Sequence, residues 1–407
     1  MKKKLLILGA MAMHLPLIKR AKELGFYVIT CDYIPENPGH KIADEAHFDS
    51  TTDLEAVLNL ARKCQIDAIM TYNSDPAAPT AAYVAEKMGL PGNPYQAVKI
   101  MSEKDLFRAF LAENGLNVPD FGSFSDMENA MTVTRNFNFP VIVKPVDSSG
   151  SKGVTRVAEY QDMPSALTAA FQKSRAGRVI VEEYIEPVGR QLHGDGFVNE
   201  GILEFLCLGD HYFDPVMNNF VPYSTAYPTA HSAEVVERCR EEIQRFITKV
   251  GFRNGGINVE LRVSKRNGKV YIIDIGARNG GNFTPKIIEY ATGFNFLDRA
   301  IRVAMGERIP PYTDKMECAY TSHLILHSDR EGIFKSLNMS NALEERIIER
   351  HIYPETGETI YKFDGANNAL GVLIMRYKDR NDMEQIITNF NSLYSVELEK
   401  NKTLEKL

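Results

Sequence analysis

The run I-N-V-E-L-R-V-S-K-R-N-G-K-V-Y-I-I-D-I-G-A-R-N-G-G-N, residues 257–282, constrains the fold most. Asn267-Gly268 between two alternating apolar runs marks a β-hairpin. A two-residue turn at Asn267-Gly268 sets Leu261 opposite Asp274 and Val259 opposite Gly276, mixing apolar with polar. A three-residue loop, Arg266 to Gly268 with Gly268 left-handed, pairs Val263 with Tyr271, Leu261 with Ile273 and Val259 with Ile275. One face is then wholly apolar. The other sets Glu260 opposite Asp274 and Asn258 opposite Gly276, with Arg278 just beyond. Like charges facing across a ladder destabilise it, so the pair either stands in solvent or holds a cation. Mg2+, bound through one or two carboxylates and nucleotide phosphates, suits it.

Two earlier segments carry related chemistry. In P-V-I-V-K-P-V-D-S-S-G-S-K-G-V-T-R-V a strand ends in Lys144, a small-residue loop follows, and a strand returns. The backbone N–H groups of Ser148, Ser149, Gly150, Ser151 and Gly153 can close over a phosphate as a nest, with Lys144 and Lys152 adding charge. A flexible hairpin with exposed lysines is the plainer alternative. In V-I-V-E-E-Y-I-E an apolar strand runs into Glu182, Glu183 and Ile185, where an extended backbone can read an adenine edge. A solvated edge strand is the competing reading.

The first 94 residues read as an open parallel sheet. LLILG, YVITCD and DAIMTY are strands, separated by helices near Pro16–Leu24, Leu54–Cys64 and Ala77–Met88. Ligands in such sheets gather beyond the strands' carboxyl ends, here Gly9–Met13, Asp32–Tyr33 and Asn73–Pro76. Asp32 lies where a dinucleotide-binding acid would, but G-A-M-A-M-H lacks the second and third glycines of that fingerprint. Lys2–Lys4 before Leu5–Met13 imitate a signal peptide, yet a βαβ opening explains the segment through Asp32. Ser102 reads as the cap of a helix ending at Gly115. Strands then follow at Val141–Lys144, Gly153–Val157, Arg178–Glu183, Gly194–Asn199, Ile257–Val263 and Val270–Ile275. Beyond about Ile309 a smaller α+β unit ends in the strand GVLIMRY, the helix Asp382–Leu393 and a solvated lysine-rich tail after Val396.

Composition excludes whole classes. With 407 residues the chain holds two or three domains. Its 47 Lys and Arg against 53 Asp and Glu argue against a protein built to grip nucleic acid or an anionic membrane. No apolar run approaches the roughly 20 residues that span a bilayer. Cys31, Cys64, Cys207, Cys239 and Cys318 are dispersed without C-x-x-C, which fits a reducing cytoplasm. His14, His193 and His231 read as structural or peripheral.

Together these segments resemble the ATP-grasp superfamily, most nearly its carbamoyl-phosphate-synthase-like and amino-acid-ligase-like branch. The resemblance implies an N-terminal pre-ATP-grasp domain with a parallel sheet (1–95), an ATP-grasp domain (96–308) and a C-terminal α+β lobe (309–407), hence mixed α/β and α+β. Lys104 and Lys144 match the family's phosphate-contacting lysines, and Gly150–Gly153, with Ser151 and Lys152 inside it and Ser149 just before it, its triphosphate loop. Glu182, Glu183 and Ile185 match the adenine hinge, Glu260 and Asp274 the magnesium ligands, and Arg278 the arginine on the transferring phosphoryl group. The ribose-contact glutamate is Gln191 here, and the third metal ligand, an asparagine, is Gly276. Asn258, across from Gly276, offers a substitute amide oxygen. The activity implied is ATP- and Mg2+-dependent (Mn2+ substituting) activation of a small carboxylate as an acyl phosphate for attack by an amine. The partners are those substrates, with a homodimer allowed. Carboxylase or carbamoyl-phosphate chemistry is one alternative, and an ATP-binding protein with degenerate chemistry is another. Substrate-pocket candidates are Asn73–Asp75, Asp214–Tyr227 and Asn279–Asn282.

Overall fold

The structure, a computed structural model, describes residues 2–148, 150–214, 218–313, 316–363, 365 and 368–399. Ser149, residues 215–217 of the Asp214–Tyr227 segment, and residues 400–407 of the lysine-rich tail lie outside the described residues. Strands β1 (Lys4–Leu8), β2 (Tyr27–Cys31), β3 (Glu45–His47) and β4 (Ala68–Met70) form a parallel sheet ordered β3-β2-β1-β4. Helices Leu15–Glu23, Leu54–Cys64 and Ala78–Met88 stand within a residue of their expected places. Each lays an apolar stripe on the sheet. Asp32 is used by the protein itself: its carboxylate accepts from the Ala10 and Ile34 N–H groups at 3.0 and 3.1 Å. It therefore braces the first loop from within.

A second, antiparallel sheet holds β5 (Phe121–Phe124), β6 (Val141–Pro145), β7 (Thr155–Val157) and β8 (Val179–Glu183), ordered β5-β8-β6-β7. One face of it buries Val141, Val143, Val179 and Val181 under helices Met127–Thr134 and Met163–Lys173.

The largest sheet is built on β9 (Leu192–Asn199), β10 (Ile202–Asp214), β11 (Asn218–Tyr227), β12 (Gly255–Val263) and β13 (Val270–Gly276). Further along come β14 (Thr321–Leu326), β15 (Gly332–Met339), β16 (Ile347–Ile352), β17 (Thr359–Ile360), β18 (Gly371–Arg376) and β19 (Tyr394–Glu399). β14, β18 and β16 continue the large sheet, whose order is β13-β12-β9-β10-β11-β14-β18-β16, and β17, β15 and β19 make a small one. One side of the large sheet is covered by helices Lys104–Glu113 and Ala233–Val250, through Phe107, Leu111, Ile243, Phe246 and Ile247. Ser232 caps the long helix and Gly251, at φ +76°, ends it.

Three local expectations are corrected. Ser102 does not cap the helix after it: its hydroxyl donates back to the Val98 carbonyl at 2.8 Å, closing helix Tyr95–Ser102, and the chain turns at Glu103. The helix expected over Asp382–Leu393 spans Arg380–Thr388 and gives way to a 3-10 turn at Phe390–Ser392. The tail after Val396 begins as the end of β19, paired to β15, rather than in solvent.

Candidate active site

The hairpin β12–β13 sets the floor of a cleft of about 540 Å3 between the second and the large sheet. Glu260 stands opposite Asp274 and Asn258 opposite Gly276, as the alternation requires. The turn end differs from expectation. Val263 pairs with Val270 and Leu261 with Ile272, because a bulge at Ile273 shifts the ladder by one residue before Glu260. Four residues, Lys265 to Gly268, form the loop, closed by the Ser264 N–H on the Lys269 carbonyl at 2.8 Å. The bulge has a partner in Arg108, which donates to the carbonyls of Ile272 at 3.1 Å and Ile273 at 2.8 Å.

Arg108 is 1% exposed and also holds Glu182 at 2.8 Å. Lys144 reaches the same carboxylate at 2.5 Å. Burial pushes the Glu182 carboxyl up, but Arg108 and Lys144 outweigh it and hold the group down at about 2. Burial pulls the Lys144 ammonium below its ordinary value, with Glu182 opposing and Arg108 and Lys104 reinforcing. Glu182 thus spends its carboxylate on Lys144 and Arg108, which leaves its backbone to face the cleft. Glu183 pairs with Arg266 at 2.8 Å, and the Ile185 carbonyl accepts from Arg262 at 3.1 Å.

Lys104 donates to the Ser148 carbonyl at 2.8 Å and lies 3.9 Å from Asp274. It thereby ties the phosphate-loop candidate to the carboxylate pair. Gly150 and Gly153 are left-handed, at φ +65° and +74°, and Ser151 adopts φ +58°. The Ser151 hydroxyl donates to the Phe220 carbonyl at 2.7 Å, reaching β11 across the cleft mouth. Gly150 and Ser151 line the cleft. Lys152 is exposed and Gly153 backs onto Pro145 and Lys173, so neither is among the lining residues.

Asp274, Glu260 and His193 form one row across β13, β12 and β9. Burial and the neighbouring Asp274 raise the Glu260 carboxyl. Despite burial, Lys104 and Lys144 lower that of Asp274. Two adjoining carboxylates at a cleft floor, one of them raised by burial and by the other's charge, are a fitting donor set for Mg2+. Gln191 bridges the row to Arg262: its amide donates to Glu260 at 2.8 Å and accepts from Arg262 at 2.7 Å. The Asn258 nitrogen is committed to His193, Gly194 and Asp195 at 2.9, 3.2 and 2.8 Å.

Sequence reasoning missed three residues. Arg108 lies four positions after Lys104 on one helix, so their shared face was the available signal. Asp195, fully buried in β9, accepts from the Gly280 N–H at 2.8 Å and from Asn279 at 3.3 Å, fixing the turn after β13. Burial raises its carboxyl to about 6. Asp75 was placed in a pocket segment, but nothing in the sequence linked it to Arg278, 203 residues on, whose guanidinium it grips.

Residues 137–286 match the ATP-grasp domain family, so the chain carries an ATP-grasp domain. Over 304 residues, 72% of the chain, it is 24% identical to the carbamoyl phosphate synthase large chain of Clostridium botulinum (strain Loch Maree / Type A3), of which it spans 27%. The chain thus covers about a quarter of that longer relative. The L-amino acid ligase of Bacillus licheniformis superposes with a TM-score of 0.83 at 21% identity, over 98% of this chain and 99% of that one. The biotin carboxylase domain of Hydrogenobacter thermophilus 2-oxoglutarate carboxylase, solved as a dimer with MgADP and bicarbonate, superposes at 0.76 and 17%, over 98% and 91%. At these identities the structural likenesses speak for the ATP-grasp fold.

Proposed function

We propose that this chain, carrying an ATP-grasp domain, is an ATP-dependent carboxylate–amine ligase that releases ADP and phosphate. The observation carrying the reading is the facing pair Glu260 and Asp274 in a cleft that Lys104, Lys144 and Arg278 also line. We assign residues 1–95, 96–308 and 309–407 to the pre-ATP-grasp domain, the ATP-grasp domain and the C-terminal lobe.

In this reading adenine lies along the backbone of Glu182–Ile185, with Gln191 toward the ribose, and the triphosphate lies under the loop that includes Ser149–Gly153. Glu260 and Asp274 would hold Mg2+, or Mn2+ in its place, which supplies charge neutralisation at the phosphates. A substrate carboxylate oxygen attacks the γ-phosphorus, the bond to the β-phosphate bridging oxygen breaks, and ADP leaves with that electron pair. The amine then attacks the acyl carbon, phosphate departs, and the nitrogen loses a proton to solvent. The protein's part is positioning and electrostatics. Lys104 and Lys144 balance charge along the triphosphate, and Arg278 balances it on the moving phosphoryl group.

A reducing cytoplasmic setting accords with five unpaired cysteines, and among the described residues no helix is long and apolar enough to cross a membrane. A homodimer belongs to the same proposal, the carboxylase neighbour being a dimer. That neighbour's bicarbonate also supports a carboxylase as second reading, and Gln191 and Gly276 support a binding protein with degenerate chemistry. Phosphate release screened across small carboxylates and bicarbonate, with and without amines, separates them. Release that needs both a carboxylate and an amine supports the ligase. Release with bicarbonate alone, or binding of ATP without turnover, contradicts it.

A further inference from the structure

Arg278 is gripped by Asp75. Its Nε and Nη2 each donate to one oxygen of Asp75 at 2.6 Å, and its Nη1 donates to the Asn279 carbonyl at 3.0 Å. A guanidinium has five N–H donors in a rigid plane. Three are engaged, and among the described residues one on Nη1 and one on Nη2 have no protein partner. Asp75 takes the Nε–Nη2 edge side-on, so the remaining Nη2 proton points to the Nη1 side. Arg278 itself lines the cleft.

Asp75 comes from the first sheet, in the segment between β4 and helix Ala78–Met88. The same segment is stitched to the arginine's turn by the Asn279 N–H on the Tyr72 carbonyl at 2.8 Å. Gly276 makes this approach feasible. A Cβ there would lie 2.8 Å from Asp75 Oδ1 and 3.2 Å from Arg278 Nε. Gly276 is not among the residues at positive φ, so its backbone does not demand glycine. The incoming carboxylate does.

The alternative places for Arg278 are unproductive. Asp195 and Asp274 also attract its charge. An arginine released from Asp75 has Asp195 and Asp274 as rival carboxylates, and at Asp274 it would neutralise one of the pair at the cleft floor.

We propose that Asp75 is a positioning residue: entering through the gap left at Gly276, it clamps Arg278 so that its two remaining N–H groups serve the transferring phosphoryl group. The catalytic part of this rests on the ligase reading; the clamp does not. The absence of a side chain at 276 then marks a site where a carboxylate from another domain has taken the space.

Two variants and two readouts test it. Asp75→Asn keeps the shape and removes the charge, whereas Gly276→Ala pushes the carboxylate aside and leaves its charge. Thermal unfolding confirms that each variant folds, and either alone suffices if the other does not. The expected result is a fall in kcat of about 10- to 100-fold, as for a misplaced catalytic group. KM for ATP should stay within about twofold, and the double variant should be no worse than the poorer single. Independently, the Arg278 Nε–H resonance, assigned by its loss in Arg278→Lys, should exchange slowly in the parent and rapidly in Asp75→Asn. An unchanged kcat, or a raised KM for ATP with kcat intact, overturns the positioning role. An unchanged Nε–H signal in Asp75→Asn overturns the clamp. If the parent turns over no ATP with any substrate, the ligase reading fails, and the resonance alone decides the clamp.

Discussion

Lys144 and Arg278 both line the cleft, but their surroundings assign them different costs when removed. Lys144 is 5% exposed and shares Glu182 with Arg108. In Lys144→Ala, Glu182 keeps one cation, so the protein should fold while the charge proposed to face the phosphates is lost. ATP affinity and turnover should therefore fall together. Arg278→Ala should lower turnover while calorimetry finds ATP affinity nearly intact, the outcome expected if its free donors are for the moving phosphoryl group as proposed. Equal losses of affinity in both would contradict these roles. Asn258 poses a subtler case. Its nitrogen faces β9, and among the described residues its oxygen has no partner in a residue that lines the cleft. Asn258→Ala should raise the Mg2+ concentration for half-maximal turnover, and an unchanged value would leave water as the substitute for the missing amide.

At the scale of elements, the hairpin shows what a pattern can and cannot specify. Alternation reached the site end, because Glu260 and Asp274 had to share a face. It missed the turn end, because inserting Ile273 exchanges one apolar neighbour for another and leaves no mark in the pattern. The side chain that holds the bulge carbonyls lies 164 residues away in sequence, in Arg108. Ser102 failed similarly: a hydroxyl closes a preceding helix or caps a following one with the same residue type. Arg108→Leu should be costly, since it leaves Glu182 to Lys144 alone and strips both bulge carbonyls. Breaking a buried ion pair from one side costs about 3–5 kcal/mol, a loss that urea unfolding would measure. A loss under 1 kcal/mol would mean that the bulge stands by itself. The loop after Lys144 makes a second prediction. Limited proteolysis at 147–152 should slow when a non-hydrolysable Mg-ATP analogue is added, and unchanged cleavage would argue against a phosphate lid.

The whole molecule binds distant segments into single surfaces, which is where sequence reading stops. The hairpin and the lysine loop were legible because each is local, and the parallel sheet because its strands and helices alternate along the chain. Asp75 on Arg278, and β14, β16 and β18 extending the large sheet, depend on pairings that no window of residues contains. Burial also gives the molecule a pH response. It holds His14 and His323 down at about 4 and His193 at about 3, and lowers His211 further below its ordinary value. Unfolded histidines take up protons near pH 6.5, so the folded state loses ground as pH falls from there toward 4. Each of His14 and His323 contributes up to about 3 kcal/mol of that loss. Asp195, held up at about 6, and Glu260, also raised, act oppositely on acidification, but they are two groups against four histidines. The thermal midpoint should therefore drop between pH 7 and 4.5, less steeply in His323→Gln, and a midpoint that rises on acidification would contradict this balance. The most direct test of the ligase chemistry follows an atom: a carboxylate found active by the screen is supplied with 18O in its carboxyl group, with an amine and Mg-ATP. Acyl-phosphate formation predicts one 18O in each phosphate released. Phosphate free of label would contradict it.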